Sequence, residues 1–184
     1  MARINPIPLD RMTAEQRRVF DAMTATRVSA TNRGPHSVWL HTPEVLERAA
    51  PLLSYLRNEA PVPLRLSALA ILVTARAWTA QYAWAAHEGR ALEGGIDPAI
   101  IDAIKHRRAP GFTNEDEAAV YALTNELLDT RAVSDATYAR AIAALGETAL
   151  MHLVNIIGCY LMVAAVLTTF RVDVPAGAAP PLAP

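Results

Sequence analysis

The residue best placed to do chemistry in this sequence is His87, an ionisable imidazole near the end of a long apolar stretch. Residues 64–95 predict two helices made almost wholly of apolar or small residues. Residues three and four apart share a helix face, so Ala83 and Trp84 lie one turn before His87 and Ala80 lies two turns before it. The alanines leave room above the imidazole. The pattern fits either a small pocket around an acid–base group or tight packing around a core histidine.

The connection 30–41, ATNRGPHSVWLH, is the second stretch that could do chemistry. It carries Arg33, His36, Trp39 and His41, and its Gly34-Pro35 pair is a turn signal. Loops rich in such side chains often build sites on a helical scaffold. The sequence predicts a loop here, which either contributes to a site or is a surface loop whose tryptophan fills a gap.

A third group lies in an apolar segment near the end of the chain. His152 and Asn155 are one turn apart, and Cys159 follows one turn later. These residues either enter the His87 pocket, with His152 as partner of the first imidazole, or form a buried polar pair that the backbone or water satisfies.

Metal and cofactor sites are not expected. His87-Glu88 begins like a zinc-protease motif, but Ala91 stands where the second histidine ligand would be. The sequence has no glycine-rich phosphate loop and no nucleophile elbow. Cys159 is the only cysteine, so no intramolecular disulfide can form.

The patterning predicts an all-α fold with an extended N-terminal arm over residues 1–12, a single helical domain over 13–170 and a proline- and alanine-rich tail over 171–184. Thr13 and Gln16 form a capping-box pattern at the start of the first helix. Thr42, Asp97, Thr113 and Ser134 are further predicted helix starts. We find no strand-like alternation of useful length.

The composition limits the partners. The 184 residues are 52% hydrophobic, 19% charged and carry a formal net charge of -1, and they include no block of like charge, so no nucleic-acid partner is expected. Residues 149–167 are long enough for a membrane span, but His152 and Asn155 within them favour a core helix. The first residues have no apolar signal-peptide region, which favours a cytoplasmic protein without a membrane anchor.

The segments LRLSALAILVTARAWTAQYAWAAHEGRALEGGIDPAIIDAI, FTNEDEAAVYALTNELL, VSDATYARAIAALGE and ALMHLVNIIGCYLM resemble the carboxymuconolactone decarboxylase and alkylhydroperoxidase D-like family. The earlier NRGPHSVWLHTPEVLERAAPLLSYLR resembles longer bacterial members of the decarboxylase-like branch. The resemblance covers the chain from about Arg33 to Val174. It implies a multi-helix bundle of the alkylhydroperoxidase D-like type and a homo-oligomer, trimer or hexamer, with its site near a subunit interface.

The resemblance also shows what this chain has lost. The redox cysteines of the peroxidase branch fall on Ala80 and Ala83, and its relay glutamate falls on Ala68. A thiol peroxidase needs a thiolate nucleophile and a resolving thiol, so thiol peroxidase activity is not expected. The decarboxylase-like branch often has a Glu-Trp-x-x-His arrangement. Here Trp84 and His87 match it and Ala83 replaces the glutamate.

The resemblance therefore implies a cofactor-independent lyase or isomerase acting on a small organic acid or lactone, for example one from aromatic-compound catabolism. In this hypothesis Arg33 anchors the substrate carboxylate and His87 is the acid or base. Trp84 and Tyr82 shape the wall, and His36 assists. The alternative is a catalytically silent member that binds an apolar ligand or acts as an oligomeric scaffold.

Overall fold

The computed structural model describes residues 2–25, 32–174 and 180–183, which form α-helices and one 3₁₀ turn at Leu9–Arg11, with no strand among them. The helices are α1 Ala14–Ala25, α2 Gly34–Trp39, α3 Pro43–Asn58, α4 Leu64–Ala77, α5 Gln81–Glu93, α6 Pro98–Lys105, α7 Glu115–Thr130, α8 Asp135–Leu145 and α9 Glu147–Thr169. The all-α prediction is confirmed.

Side-chain caps fix several helix starts as predicted. The Thr13 N–H donates to Gln16 Oε1 at 3.0 Å, and the Gln16 N–H donates to Thr13 Oγ1 at 3.2 Å, which completes the capping box. Ser134 Oγ accepts the Thr137 N–H at 3.3 Å at the start of α8. Asp97 caps α6 in the same way. These bonds satisfy donors that a helix start leaves unpaired, so the local sequence determines where the helices begin.

The connection 30–41 differs from its prediction. Its residues 34–39 form the short helix α2, where the sequence predicted a loop. Pro35 suits the first turn of a helix because it lacks an N–H that would need a partner. Ser37 Oγ donates to the Gly34 carbonyl at 2.8 Å within the helix. Residues 26–31 lie outside the described residues, including Ala30 of the predicted loop.

Helix α4 is the centre of the bundle and packs against α5, α6, α7 and α9. Residues 66–76 of α4 are buried without interruption. At its start, Arg65 donates to Asp116 Oδ2 at 2.6 Å and to Glu117 Oε1 at 2.5 Å, and Glu117 is buried. Since a buried carboxylate needs a partner, this ion-pair cluster fixes α4 against α7.

Helix α9 is long and apolar enough to cross a membrane by length and composition, and 44% of its most apolar window is buried. A single helix of this kind is weak support for a span, because core helices of soluble proteins meet the same criterion. One face of α9 packs against α3, α4, α5 and α8. The other face leaves Met151, Val154 and Met162 exposed, so α9 is a bundle helix with one uncovered side.

The chain ends meet the bundle near the ends of α5 and α9. The Arg3 N–H donates to the Phe170 carbonyl at 2.8 Å. Leu182 is buried and exchanges two hydrogen bonds with the Gln81 side chain, at 2.7 and 2.8 Å. Residues 180–183 of the tail therefore return to the start of α5 within the same chain.

Candidate functional site

A histidine and a tyrosine from two helices form the centre of the candidate site. His87 of α5 is 6% exposed and Tyr160 of α9 is 4% exposed. His87 Nε2 lies 2.8 Å from Tyr160 Oη, and the two rings meet edge to face at 86°. His87 Nδ1 is buried and has no hydrogen-bond partner among the described residues. One ring nitrogen is thus bonded to the phenol, and the hydrogen-bonding capacity of the other is unused among the described residues.

Burial keeps both groups neutral at pH 7. Burial, with smaller contributions from Arg57 and Arg90, lowers the pKa of His87 from 6.5 to about 3. Burial raises the pKa of Tyr160 from 10 to about 12, and Arg57 opposes that rise. The Arg57 charge attracts the phenol oxygen and repels its proton. It therefore favours the arrangement in which Tyr160 donates to Nε2 and His87 carries its proton on Nδ1.

His87 lines a cavity of about 150 Å³ between α2, α3, α5 and α9. This is the size of an engineered cavity that binds benzene, so the cavity suits a molecule of about that size. Its lining residues are Arg33, Pro35, His36, Leu53, Arg57, Tyr82, Ala83, Ala86, His87, Tyr160, Val163 and Leu167. The cavity therefore combines apolar walls with a few polar groups, which is typical of small-molecule sites.

The formal charges of the lining come from two arginines. Arg33 is exposed at the start of α2 and Arg57 is half-buried near the end of α3. Arg57 Nε donates to the Leu53 carbonyl at 3.1 Å, and neither arginine has a carboxylate partner among the described residues. None of the lining residues is acidic. The cavity is thus electropositive and suits an anion.

His36 adds a second buried imidazole to the lining. It is 8% exposed on α2 and lies edge to face with Trp39, their ring centroids 6.0 Å apart. Burial, together with the Arg57 charge, lowers the pKa of His36 from 6.5 to about 4. His36 is therefore neutral at pH 7, as His87 is, and the positive charge of the lining belongs to the arginines.

Gly34 allows one wall of the cavity to form. A Cβ added at Gly34 would lie 2.5 Å from the Tyr82 ring, and the residue has φ +57°, where side chains are disfavoured. Burial raises the pKa of Tyr82, and the Arg33 charge opposes part of this rise. The close approach of α2 to Tyr82 thus places Arg33 and His36 beside the tyrosine.

The structure brings four of the six predicted site residues together. Arg33, His36, Tyr82 and His87 line one cavity. The structure does not bring Trp84 or His152 to it. Trp84 has no exposed surface and packs in the core, so it does not line the cavity.

His152 lies elsewhere on α9, in a hydrogen-bonded pair of its own. Its Nε2 is 3.0 Å from Tyr55 Oη and its Nδ1 is 2.8 Å from the Thr148 carbonyl oxygen. His152 precedes Tyr160 by two turns, about 12 Å along a helix. Its polar atoms are paired locally and it is not the partner of His87. Asn155 lines an open apolar groove on α8 and α9 instead.

Ala68, Ala80 and Ala83, the alanines that the resemblance aligns with redox and acid residues, lie in different surroundings. Ala83 lines the cavity, whereas Ala68 and Ala80 are each 1% exposed and pack in the core. Of these three alanines, only Ala83 therefore leaves space beside His87 in the cavity. Cys159 is half-buried, and burial raises the pKa of its thiol. A protonated thiol is a poor nucleophile.

Sequence reasoning missed Tyr160 and Arg57. Tyr160 is an aromatic residue in a predicted apolar helix and directly follows Cys159. A buried phenol needs a hydrogen-bond partner, and this need was the signal that could have indicated its role. Arg57 lies one residue after Leu56, at the end of an apolar helix stripe. Neither position has a local motif, and their connection to His87 appears only when α3 and α9 pack against α5.

Metal binding gains no support from the described residues. No group of three or more histidine, cysteine, aspartate or glutamate side chains in residues 2–25, 32–174 and 180–183 could hold a metal ion.

No protein-family model and no curated protein matches the chain. A solved structure does match: a protein of unknown function from Agrobacterium tumefaciens, ATU0492, assigned provisionally as an antioxidant defence protein AhpD. The two share 16% sequence identity with a TM-score of 0.62, over 76% of this chain and 96% of the other. At this identity the likeness concerns the fold, and it confirms the expected alkylhydroperoxidase D-like helical bundle.

Proposed function

We propose that the chain is a cofactor-independent lyase or isomerase that acts on a small organic acid or lactone in the His87 cavity. The observation that carries this proposal is the buried His87–Tyr160 pair, both of whose residues line a small cavity with two arginines and no acid in its lining. The Nδ1 of His87 has no hydrogen-bond partner among the described residues. The decarboxylase-like branch of the family that the sequence resembles performs chemistry of this class.

The arginines would bind the substrate carboxylate. A guanidinium presents two parallel N–H groups to a carboxylate, and the bond is stronger where water is scarce. Arg57 is the better anchor because it is half-buried, and exposed Arg33 would act at the cavity mouth. The apolar side chains of Leu53, Val163 and Leu167 would hold the carbon skeleton.

His87 would supply the proton. When the carbon–carbon bond to the substrate carboxylate breaks, carbon dioxide leaves and the electron pair of that bond remains on the substrate carbon. The Nδ1 proton of His87 passes to that carbon while Nε2 takes the phenol proton of Tyr160, and the adjacent Arg57 charge stabilises the phenolate. Solvent later returns the proton. The same relay moves a proton between two carbons in an isomerisation.

This relay would replace the missing glutamate of the decarboxylase-like branch. Ala83 stands at the glutamate position, Tyr160 of α9 is hydrogen-bonded to the imidazole, and the charge of Arg57 on α3 acts on it. Thiol peroxidase activity is not part of the proposal, because the chain has one cysteine and that cysteine is absent from the cavity lining.

The experiment is a substrate screen in D₂O, in which the full chain is incubated with small unsaturated acids and lactones. Proton NMR reports deuterium incorporation and product formation. With a substrate found, His87→Gln should lower kcat/KM by about 10²- to 10⁴-fold, the usual effect of a general acid or base.

His152→Gln is the matched control. It removes a histidine that is also bonded to a tyrosine, but outside the cavity. It should leave kcat/KM within about twofold, because surface changes rarely affect a distant site. Equal turnover by wild type and His87→Gln would refute the proposed role of His87.

The second candidate is a catalytically silent protein that binds a ligand or acts as an oligomeric scaffold. The alanines at positions 68, 80 and 83 favour it. An apolar ligand fits the two arginines poorly. In this case the screen would detect saturable binding of a small acid without deuterium incorporation.

A homo-oligomer in the cytoplasm is part of the proposal. Large apolar side chains are exposed on one face of the bundle: Leu52 and Tyr55 of α3, and Met151, Val154 and Met162 of α9. Contiguous exposed apolar surface of this kind is typical of protein interfaces. A trimer or hexamer that covers this face would bury the uncovered side of α9.

A further inference from the structure

A second cavity, of about 390 Å³, lies where the C-terminal ends of α4 and α6 meet α7. It shares no lining residue with the His87 cavity. Its lining includes Arg76, Arg107 and Arg108, with Asp129 as the acidic residue. The concentration of guanidinium groups makes this cavity a candidate site for an anion.

Arg76 has the most unusual environment of the three. It is 5% exposed in the last turn of α4 and makes no ion pair within the described residues. Its Nη1 donates to Thr79 Oγ1 at 3.2 Å, but its Nε is buried without a partner there. An arginine keeps its charge when buried, so an uncompensated buried guanidinium is costly.

Arg107 places a second positive charge beside the first. Its Nη2 lies 3.5 Å from both Thr79 Oγ1 and the Arg76 carbonyl oxygen. The two guanidiniums thus approach the same hydroxyl oxygen. Burial and the Arg107 charge lower the pKa of Arg76. Because like charges repel, an anion between them would stabilise this arrangement.

The other two charged lining residues, Arg108 and Asp129, do not pair with the positive charges of Arg76 and Arg107. Arg108 is paired with Asp102, so its charge is compensated. Asp129 makes no ion pair with Arg76 or Arg107 among the described residues. The interaction of cations with helix C-termini explains why Arg107 lies near the end of α4. It does not explain the unpartnered Nε of Arg76.

We propose that this second cavity binds a phosphate-type oxyanion between the Arg76 and Arg107 guanidiniums. A tetrahedral oxyanion offers several acceptor oxygens to two separate guanidinium groups, and arginine suits phosphate recognition. A carboxylate offers only two oxygens in one plane. The site is independent of the reaction proposed for His87.

The experiment is calorimetric titration of the full chain with inorganic phosphate at constant ionic strength, with acetate as the carboxylate probe. Wild type should bind phosphate saturably and more tightly than acetate. Arg107→Gln should weaken phosphate binding about tenfold or more, the worth of one charge-assisted hydrogen bond. Arg107 is exposed, so this variant should fold.

Arg171→Gln is the matched control. Arg171 is also exposed, also follows a helix C-cap and also has a positive φ, +49° against +55° for Arg107. It removes the same charge away from the cavity and should change phosphate affinity less than twofold. Absence of saturable phosphate binding by wild type, equal weakening by both variants, or acetate binding as tight as phosphate would overturn the assignment.

Discussion

Two histidine–tyrosine pairs in this molecule have nearly the same hydrogen bond and different surroundings. His87 and Tyr160 are 2.8 Å apart between α5 and α9, and His152 and Tyr55 are 3.0 Å apart between α9 and α3. The first pair is buried. In the second, Tyr55 is 39% exposed and His152 is half-buried.

The second nitrogen of each imidazole distinguishes the pairs further. His152 Nδ1 donates to the Thr148 carbonyl, which fixes its tautomer and leaves no open position. His87 Nδ1 has no partner among the described residues. A His–Tyr hydrogen bond alone therefore does not make a site. Burial, nearby arginines and a ring nitrogen without a partner among the described residues together make His87 the candidate acid–base group.

The largest effect expected from this difference is on the pH dependence of the free energy of unfolding. His87 and His36 have lowered pKa values in the folded protein, about 3 and about 4, and the ordinary value is 6.5. Between these values the unfolded chain binds more protons than the folded one. The free energy of unfolding should therefore fall as the pH falls below 6.5, by about 1.4 kcal/mol per pH unit for each fully titrating histidine.

Urea unfolding at several pH values between 5.5 and 7.5 measures this slope. Four carboxyl groups among the described residues also have lowered pKa values, but their contributions are lost only near and below the ordinary values of 3.8 for aspartate and 4.5 for glutamate, outside this range. They belong to Asp116, Glu47, Glu115 and Glu126. The double variant His36→Asn, His87→Asn should have a much smaller slope. An unchanged slope in that variant would assign the protons to other groups.

A smaller effect on the free energy of unfolding is expected when the phenol hydroxyl of either histidine–tyrosine pair is removed. Tyr160→Phe leaves His87 Nε2 buried without a partner, which should lower the free energy of unfolding by about 1–3 kcal/mol. Tyr55→Phe removes a hydroxyl whose partner water can reach, so its effect should stay within about 0.5 kcal/mol. Urea unfolding at pH 7.5 measures both. Equal losses would mean that burial does not separate the two pairs.

The sequence was sufficient for the scaffold and for part of the site. Capping residues such as Thr13 and Ser134 act locally, so their patterns predicted helix starts correctly. Trp84 and Ala83 precede His87 by three and four residues, and both share its broad helix face. Only packing decides that Ala83 lines the cavity and Trp84 enters the core. Tyr160 was missed for the same reason, since its role depends on how α9 packs against α5.

The smallest expected effect is a shift in the pKa of His87 when a nearby arginine loses its charge. Arg57 and Arg90 both lower the pKa of His87, and Arg57 is the larger contributor of the two. Arg57→Met should therefore raise the pKa of His87, which should stay below 6.5 because burial is the main cause. Histidine ¹⁵N NMR across pH measures this shift and also reports which ring nitrogen carries the proton.

Arg90→Met is the control that separates the effect of a nearby positive charge from direct contact with a ligand in the cavity. Arg90 donates to the Arg57 carbonyl at 3.3 Å but does not line the cavity. It should raise the pKa of His87 less than Arg57→Met does, and it should leave the binding of a small carboxylic acid nearly unchanged. Arg57→Met should weaken that binding about tenfold, because it removes a charged donor from the lining. Equal loss of binding in both variants would mean that the cavity attracts anions through its overall field, with no direct anchor at Arg57.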